Sequence, residues 1–203
     1  MPTDLVTASS RTAGQRQRRP RARATRYRLD VLAERVDDVI GAVGGWLADR
    51  ALAGWEVNVA VREPDQAGRD ALRILGATLG ALDDAGDGNP PQAATAALAV
   101  AAELLAADTA LRSRVVEAYE RELAEVTVWG TGIPVDVRAR LGAVQHTLSF
   151  AARAFKSRAA GLATAAGACP VTAIEVFHSG ARRPVAADLR PLDTAQHTGG
   201  AVL

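Results

Sequence analysis

Trp55-Glu56-Val57-Asn58-Val59-Ala60-Val61 is the stretch that sets the fold class. Trp55, Val57, Val59 and Val61 alternate with Glu56, Asn58 and Ala60, and a period of two is the mark of a β-strand. The residues before it keep a different period. Leu29, Leu32, Val36, Val39, Ile40, Val43 and Leu47 fall three or four apart. That is the stripe of an amphipathic helix, expected to begin near Tyr27 and end at Ala53-Gly54. Gly41, Gly44 and Gly45 each cost a helix about 1 kcal/mol against alanine, so another element should approach closely there. After the strand, Arg62 to Asp65 contains Pro64 and must turn. Ala71, Leu72 and Leu75 suit a short helix closed by Gly76, and residues 77–82 then read as a second strand. One helix over 70–82 is the rival reading, since Leu72, Leu75, Leu79 and Leu82 also keep helical spacing.

Farther out, Asp83 to Pro91 is a loop of aspartate, glycine, asparagine and proline. Ala94, Leu98, Ala101 and Leu105 predict a helix over 92–107, and Leu111, Val115, Val116, Tyr119 and Leu123 predict another. Joining the two would bury Asp108 and Arg112 on one apolar face, which is costly. A break with Asp108 as N-cap removes the conflict. Val126 and Val128 begin a third strand ending at Trp129. Gly130-Thr131-Gly132 turns the chain, and Pro134 suits a first helical residue. Val137, Leu141, Val144, Leu148, Ala151, Phe155, Ala159 and Leu162 predict one long helix. A last strand is expected over 172–178, with Ile174 and Val176 on one face.

This order predicts a helix-rich α/β protein: a small, mostly parallel sheet of about four strands flanked by helices. Leu47 to Leu82 resembles part of a Rossmann-like unit: a helix, the G-W-E-V-N-V strand, a helix ending in L-G-A, and a strand. The resemblance covers under a fifth of the chain and includes no cofactor fingerprint, so it implies architecture and no activity. The expected organisation is an arm over 1–26, one domain over 27–178 and a loose tail over 179–203.

The chain has 203 residues, 48% of them hydrophobic, which is ample for a buried core. One cysteine, Cys169, excludes an internal disulfide framework and a multi-thiolate zinc site. His146, His178 and His197 fit no metal-ligand spacing, and no cofactor is expected. Residues 1–28 hold no apolar core of a secretory signal, and the run from Ala93 to Ala107 is too short to span a membrane. A reducing, cytoplasmic location is the natural reading.

Charge is uneven beneath a net value of +1. Eight arginines and no acid lie between residues 11 and 28, including Arg16, Arg18, Arg19, Arg21 and Arg23. Such an arm suits nucleic acid or another polyanion. The expected function is accordingly a non-catalytic binding or regulatory protein. The alternative is an α/β protein or enzyme that binds a nucleotide or anionic metabolite. Its site would be Gly130, Thr131 and Gly132 at a strand-to-helix turn, with Arg182 and Arg183 supplying positive charge if the last strand runs parallel to the third. Parallel strands would also bring Arg62, Glu63, Asp83, Asp84, His178 and Ser179 to that edge. Ala143, His146, Phe150 and Ala154 would form a second face on the long helix, suited to a homo-oligomer.

Overall fold

The computed structural model describes residues 27–82, 95–163, 171–181 and 185–192. In chain order the elements are β1 (Arg28–Ala33), α1 (Val36–Leu52), β2 (Glu56–Val61), α2 (Gln66–Ile74), β3 (Ala77–Ala81) and β4 (Thr95–Ala101). There follow α3 (Ala102–Ala107), α4 (Thr109–Glu120), β5 (Glu125–Trp129), α5 (Val135–Arg138), β6 (Gly142–Thr147), α6 (Phe150–Ala163), β7 (Ile174–Gly180) and β8 (Arg190–Pro191). The alternating stretch that opened the reading is β2, with Val57, Val59 and Val61 buried. α2 and β3 also form as expected, and the single helix over 70–82 does not.

The strands make one sheet in the order β3-β2-β1-β4-β5-β7-β6-β8. β3, β2, β1, β4 and β5 are parallel. β7 runs antiparallel to both β5 and β6, and β8 antiparallel to β6. The α/β class holds, but the small, mostly parallel sheet of about four strands is corrected to an eight-stranded mixed sheet. Two cores cover its faces. Leu29, Val31, Val57 and Val59 pack with Val43, Trp46 and Leu47 of α1, Leu72 of α2, and Ala152 and Ala159 of α6. On the other face Val100, Val126 and Val128 pack with Leu105 of α3 and with Leu111 and Val115 of α4.

Three strands were hidden by helix-like spacing. β1 precedes α1 by only two residues, so Leu29, Leu32 and Val36 continue the helical stripe although Leu29, Val31 and Ala33 point into one core. β4 lies between both cores, Ala97 and Ala99 in one and Leu98 and Val100 in the other. A parallel strand buried on both faces shows no polar alternation, and alanine favours the helical reading. β6 replaces the middle of the expected long helix; it exists because β7 and β8 pair on its two sides. Asp108 caps α4 as expected, accepting from Leu111 N at 2.9 Å.

The second helix face drawn through His146 and Phe150 is corrected. His146 lies on β6 and is 6% exposed, while Phe150 opens α6 at 82%. The His146 ring reaches Asp49 Oδ2 through Nε2 and the Asp188 carbonyl through Nδ1, both at 2.9 Å. Burial pushes the Asp49 carboxyl up, but hydrogen bonds from Ser149 and His146 outweigh it and hold the group below its ordinary value. The tail expected to be loose from residue 179 is anchored where it is described. β7 extends to Gly180, and the Asp188 carboxylate accepts from Trp46 Nε1 at 2.8 Å and from Arg50 Nε at 2.6 Å. Arg50 also donates to Glu125 Oε1 at 2.8 Å and lies against the rings of Trp46 and Trp55 at 4.9 and 4.1 Å.

Candidate functional site

In an open parallel sheet the ligand edge is the carboxyl edge, at the point where the strand order reverses. Here the chain proceeds outward from β1 through β2 to β3, then returns to place β4 on the other side of β1. The reversal therefore falls between β1 and β4. The turn after β1 carries Glu34 and Arg35, with Asp37 and Asp38 in the first helical turn of α1. The turn after β2 carries Arg62, Glu63 and Asp65. These two turns line a cavity of about 510 Å³ on the β2 side of β1, on the carboxyl edge but beside the reversal and not at it, with Glu34, Arg35, Asp37, Arg62, Glu63 and Asp65 in its walls and Ala163 at the end of α6.

Each group is held for a local reason. Asp65 is the N-cap of α2 and accepts from Gly68 N at 2.6 Å. Arg62 grips Glu34 through Nε and Nη2 at 2.6 and 3.2 Å. Arg35 grips Asp37 through Nε and Nη2, both at 2.9 Å. Such two-point pairs fix both planes. The Arg35 hydrogen bond holds the Asp37 carboxyl below its ordinary value. Asp38 behaves oppositely: burial first, then the charges of Asp37 and of Glu103 at the start of α3, push its carboxyl up. One carboxyl is thus held as an anion beside another that takes a proton more readily.

Asp38→Asn is expected to stabilise the fold at neutral pH. A carboxyl whose folded pKa is raised destabilises the native state once the pH exceeds its unfolded value, so the gain should vanish below about pH 4. Denaturant unfolding at neutral and acid pH checks this, and a variant less stable at neutral pH would contradict the electrostatic assignment.

The residues singled out in the sequence are not gathered into one place. Arg62 and Glu63 line the cavity, but Gly130, Thr131 and Gly132 are absent from its walls. Those three follow β5 on the same edge, where Gly130 has φ +95° and Gly132 φ +74°. The glycines are required by the turn itself. α5 after them is a single turn of 4 residues, with Asp136 near Arg112 at 3.7 Å. Nothing lies within 4 Å of a Cβ added at Gly132, so Gly132→Ala tests the backbone alone. The expected loss is about 1–2 kcal/mol in denaturant unfolding, and an unchanged midpoint would show that the turn relaxes freely.

The condition set for Arg182 and Arg183 is corrected. β7 is antiparallel to β5, with Gly180 opposite Val126, so the chain leaves β7 beside the start of β5 and away from the glycine turn. Arg182 and Arg183 themselves lie outside the described residues, as do Asp83, Asp84, Cys169 and the arm with Arg16, Arg18, Arg19, Arg21 and Arg23. His178 and Ser179 pair with Val128 and Thr127 inside the sheet. Burial and Arg138 lower the His178 pKa. Glu34, Arg35, Asp37 and Asp38 were missed because β1 was read as helix, which placed the strand-to-helix turn inside a helix. The available signal was the polar Glu34-Arg35 pair between two apolar runs. Among the described residues no three His, Cys, Asp or Glu side chains converge as a metal-binding group. No helix among them is long and apolar enough to cross a membrane.

The fold is an open α/β sheet with a polar cavity at its carboxyl edge. No family profile and no curated protein matches the chain. A deacetylase–teicoplanin complex of the teicoplanin biosynthesis pathway matches with TM-score 0.49 and 14% identity, covering 75% of this chain and 97% of that one. A deacetylase triple mutant of the same pathway gives TM-score 0.46 and 15% identity over 66% of this chain and 81% of that one. The A40926 pseudoaglycone deacetylase gives TM-score 0.46 and 14% identity over 68% and 81%. Likeness at this level transfers no residue role. The matching structures are enzymes, and the expectation of a non-catalytic binding or regulatory protein does not agree with them.

Proposed function

We propose that this chain binds a small polar molecule in the cavity between the β1–α1 and β2–α2 turns and acts on it as an enzyme. The observation that carries the reading is the cavity's position and lining: charged side chains from two adjacent strand ends, at the edge where such sheets bind ligands. Its charge narrows the ligand. Glu34, Asp37, Glu63 and Asp65 outnumber Arg35 and Arg62, and both arginines already hold a carboxylate. A nucleotide phosphate would have to displace one of those pairs. A hydroxyl-rich or ammonium-bearing molecule meets acceptors without displacing anything, so this class replaces the nucleotide or anionic metabolite of the sequence reading.

A thermal-shift screen tests it, with polyols, amines, nucleotides and N-acyl compounds offered to the wild type and to Arg62→Ala. A ligand at a hundred times its Kd stabilises by about 2.7 kcal/mol. For a chain of this size each kcal/mol moves Tm by about 2–4 °C. The expected result is a shift with a neutral or cationic compound, reduced in Arg62→Ala. Nucleotides alone shifting Tm, equally in both proteins, would overturn the assignment.

A further inference from the structure

Lys156 is the sole lysine in a chain whose other 23 basic side chains are arginines. It is 6% exposed and faces the middle of α1 from α6. Its Nζ donates to the Gly41 carbonyl at 2.7 Å and to Glu175 Oε1 at 2.6 Å. Glu175, 4% exposed on β7, accepts from Gly45 N at 2.9 Å and from Trp46 N at 2.8 Å. In an α-helix the partner of the Gly45 N–H is the carbonyl four residues earlier, which is that of Gly41. The ion pair therefore engages both halves of one rung: the carboxylate takes the donor and the ammonium takes the acceptor. Side chains that enter the helical ladder in this way are a recognised cause of helix bending.

We propose that Lys156 and Glu175 are positioning residues, which together set the placement of residues 36–41, and so of Asp37, against the cavity. The inference rests on the reading of that cavity as the functional site. A compact ammonium can serve two oxygens from one point, where the planar guanidinium fork would need wider spacing. That accounts for a lysine at this position alone. It also accounts for a buried ion pair where two apolar side chains would generally serve stability as well. Gly45 completes the arrangement. A Cβ there would meet Leu148 and come within 3.0 Å of Glu175 Oε1, so only glycine lets the carboxylate reach the two amides.

The test needs no ligand, so its failure is distinct from failure of the ligand screen. In the wild type, through-hydrogen-bond NMR couplings are expected from the Gly45 and Trp46 amide nitrogens to the Glu175 side-chain carboxyl carbon. Their absence would overturn the proposal without any variant. In the double variant Lys156→Met/Glu175→Leu neither half of the rung has a side-chain partner. Its cooperative unfolding is checked first, and the Asp38 carboxyl is then titrated by carbon-13 NMR. The expected result is a shifted Asp38 midpoint and faster amide exchange over residues 36–41, with exchange in β2 and β5 unchanged. A folded double variant with the wild-type Asp38 titration and the wild-type exchange pattern would reduce the pair to ordinary packing and overturn the proposal. Should the double variant fail to unfold cooperatively, Lys156→Arg is read by the same titration, with a shifted midpoint supporting the proposal and an unchanged one overturning it.

Discussion

Gly45→Ala is expected to cost roughly 3 kcal/mol or more, at or beyond the upper end of what overpacking usually does. A Cβ built there falls inside van der Waals contact of Leu148 Cδ2 and Cγ and close to Glu175 Oε1. Leu148 is 4% exposed and has no flexible end to withdraw, because its branched tip is the part in contact. Leu148→Ala alone should cost about 2–5 kcal/mol, as buried leucines do. The double variant Gly45→Ala/Leu148→Ala should cost clearly less than the sum, since the second change vacates the space the first requires. Equilibrium urea unfolding of the four proteins measures the coupling. Strict additivity would mean that the damage at Gly45 comes from elsewhere, with the contact to Glu175 the remaining cause.

Arg50→Met is expected to cost about 3–5 kcal/mol, because removing one partner from a buried ionic group leaves the others uncompensated. Arg50 is 2% exposed and serves Glu125, itself 4% exposed, together with Asp188. Methionine keeps much of the apolar stem between Trp46 and Trp55, so the loss would report the charges more than the packing. Among the described residues its Nη1 is buried without a hydrogen-bond partner. Chemical denaturation at neutral pH is the measurement. A loss under about 1 kcal/mol would put the pair in the range of exposed ion pairs and contradict the burial.

The same two sites show why the fold was only partly legible. Gly41, Gly44 and Gly45 were expected to admit a close neighbour on α1; it exists at Gly45, whereas Gly44 has ordinary contacts and a Cβ at Gly41 meets none of the described residues within 4 Å. That the neighbour is Leu148 and a Glu175 carboxylate, more than a hundred positions along the chain, lies beyond any local pattern. His146 was placed on a second helix face, yet it meets Asp49 and the Asp188 backbone, while the Asp188 carboxylate holds Arg50, in a segment with no period of its own.

What the sequence determined by itself was everything carried by near neighbours. The alternation at 55–61, the Asp108 cap, the Gly76 stop and the order of helices and strands around β2 all follow from side chains a few positions apart. The α/β class follows from that order. Tertiary structure alone decided β1, β4 and β6: β4 is buried on both faces, where apolar spacing cannot separate a strand from a helix, while β1 and β6 fall inside apolar stripes that keep helical spacing. It also decided the direction of β7, and with it the failure of the arrangement expected around Arg182 and Arg183. The candidate site belongs to the same category. Glu34, Arg35 and Asp37 become a cavity wall only when β1 is a strand, and β1 is a strand only because β2 and β4 pair on either side of it. Hydrogen bonds between strands far apart in sequence settle the choice that local propensity leaves open.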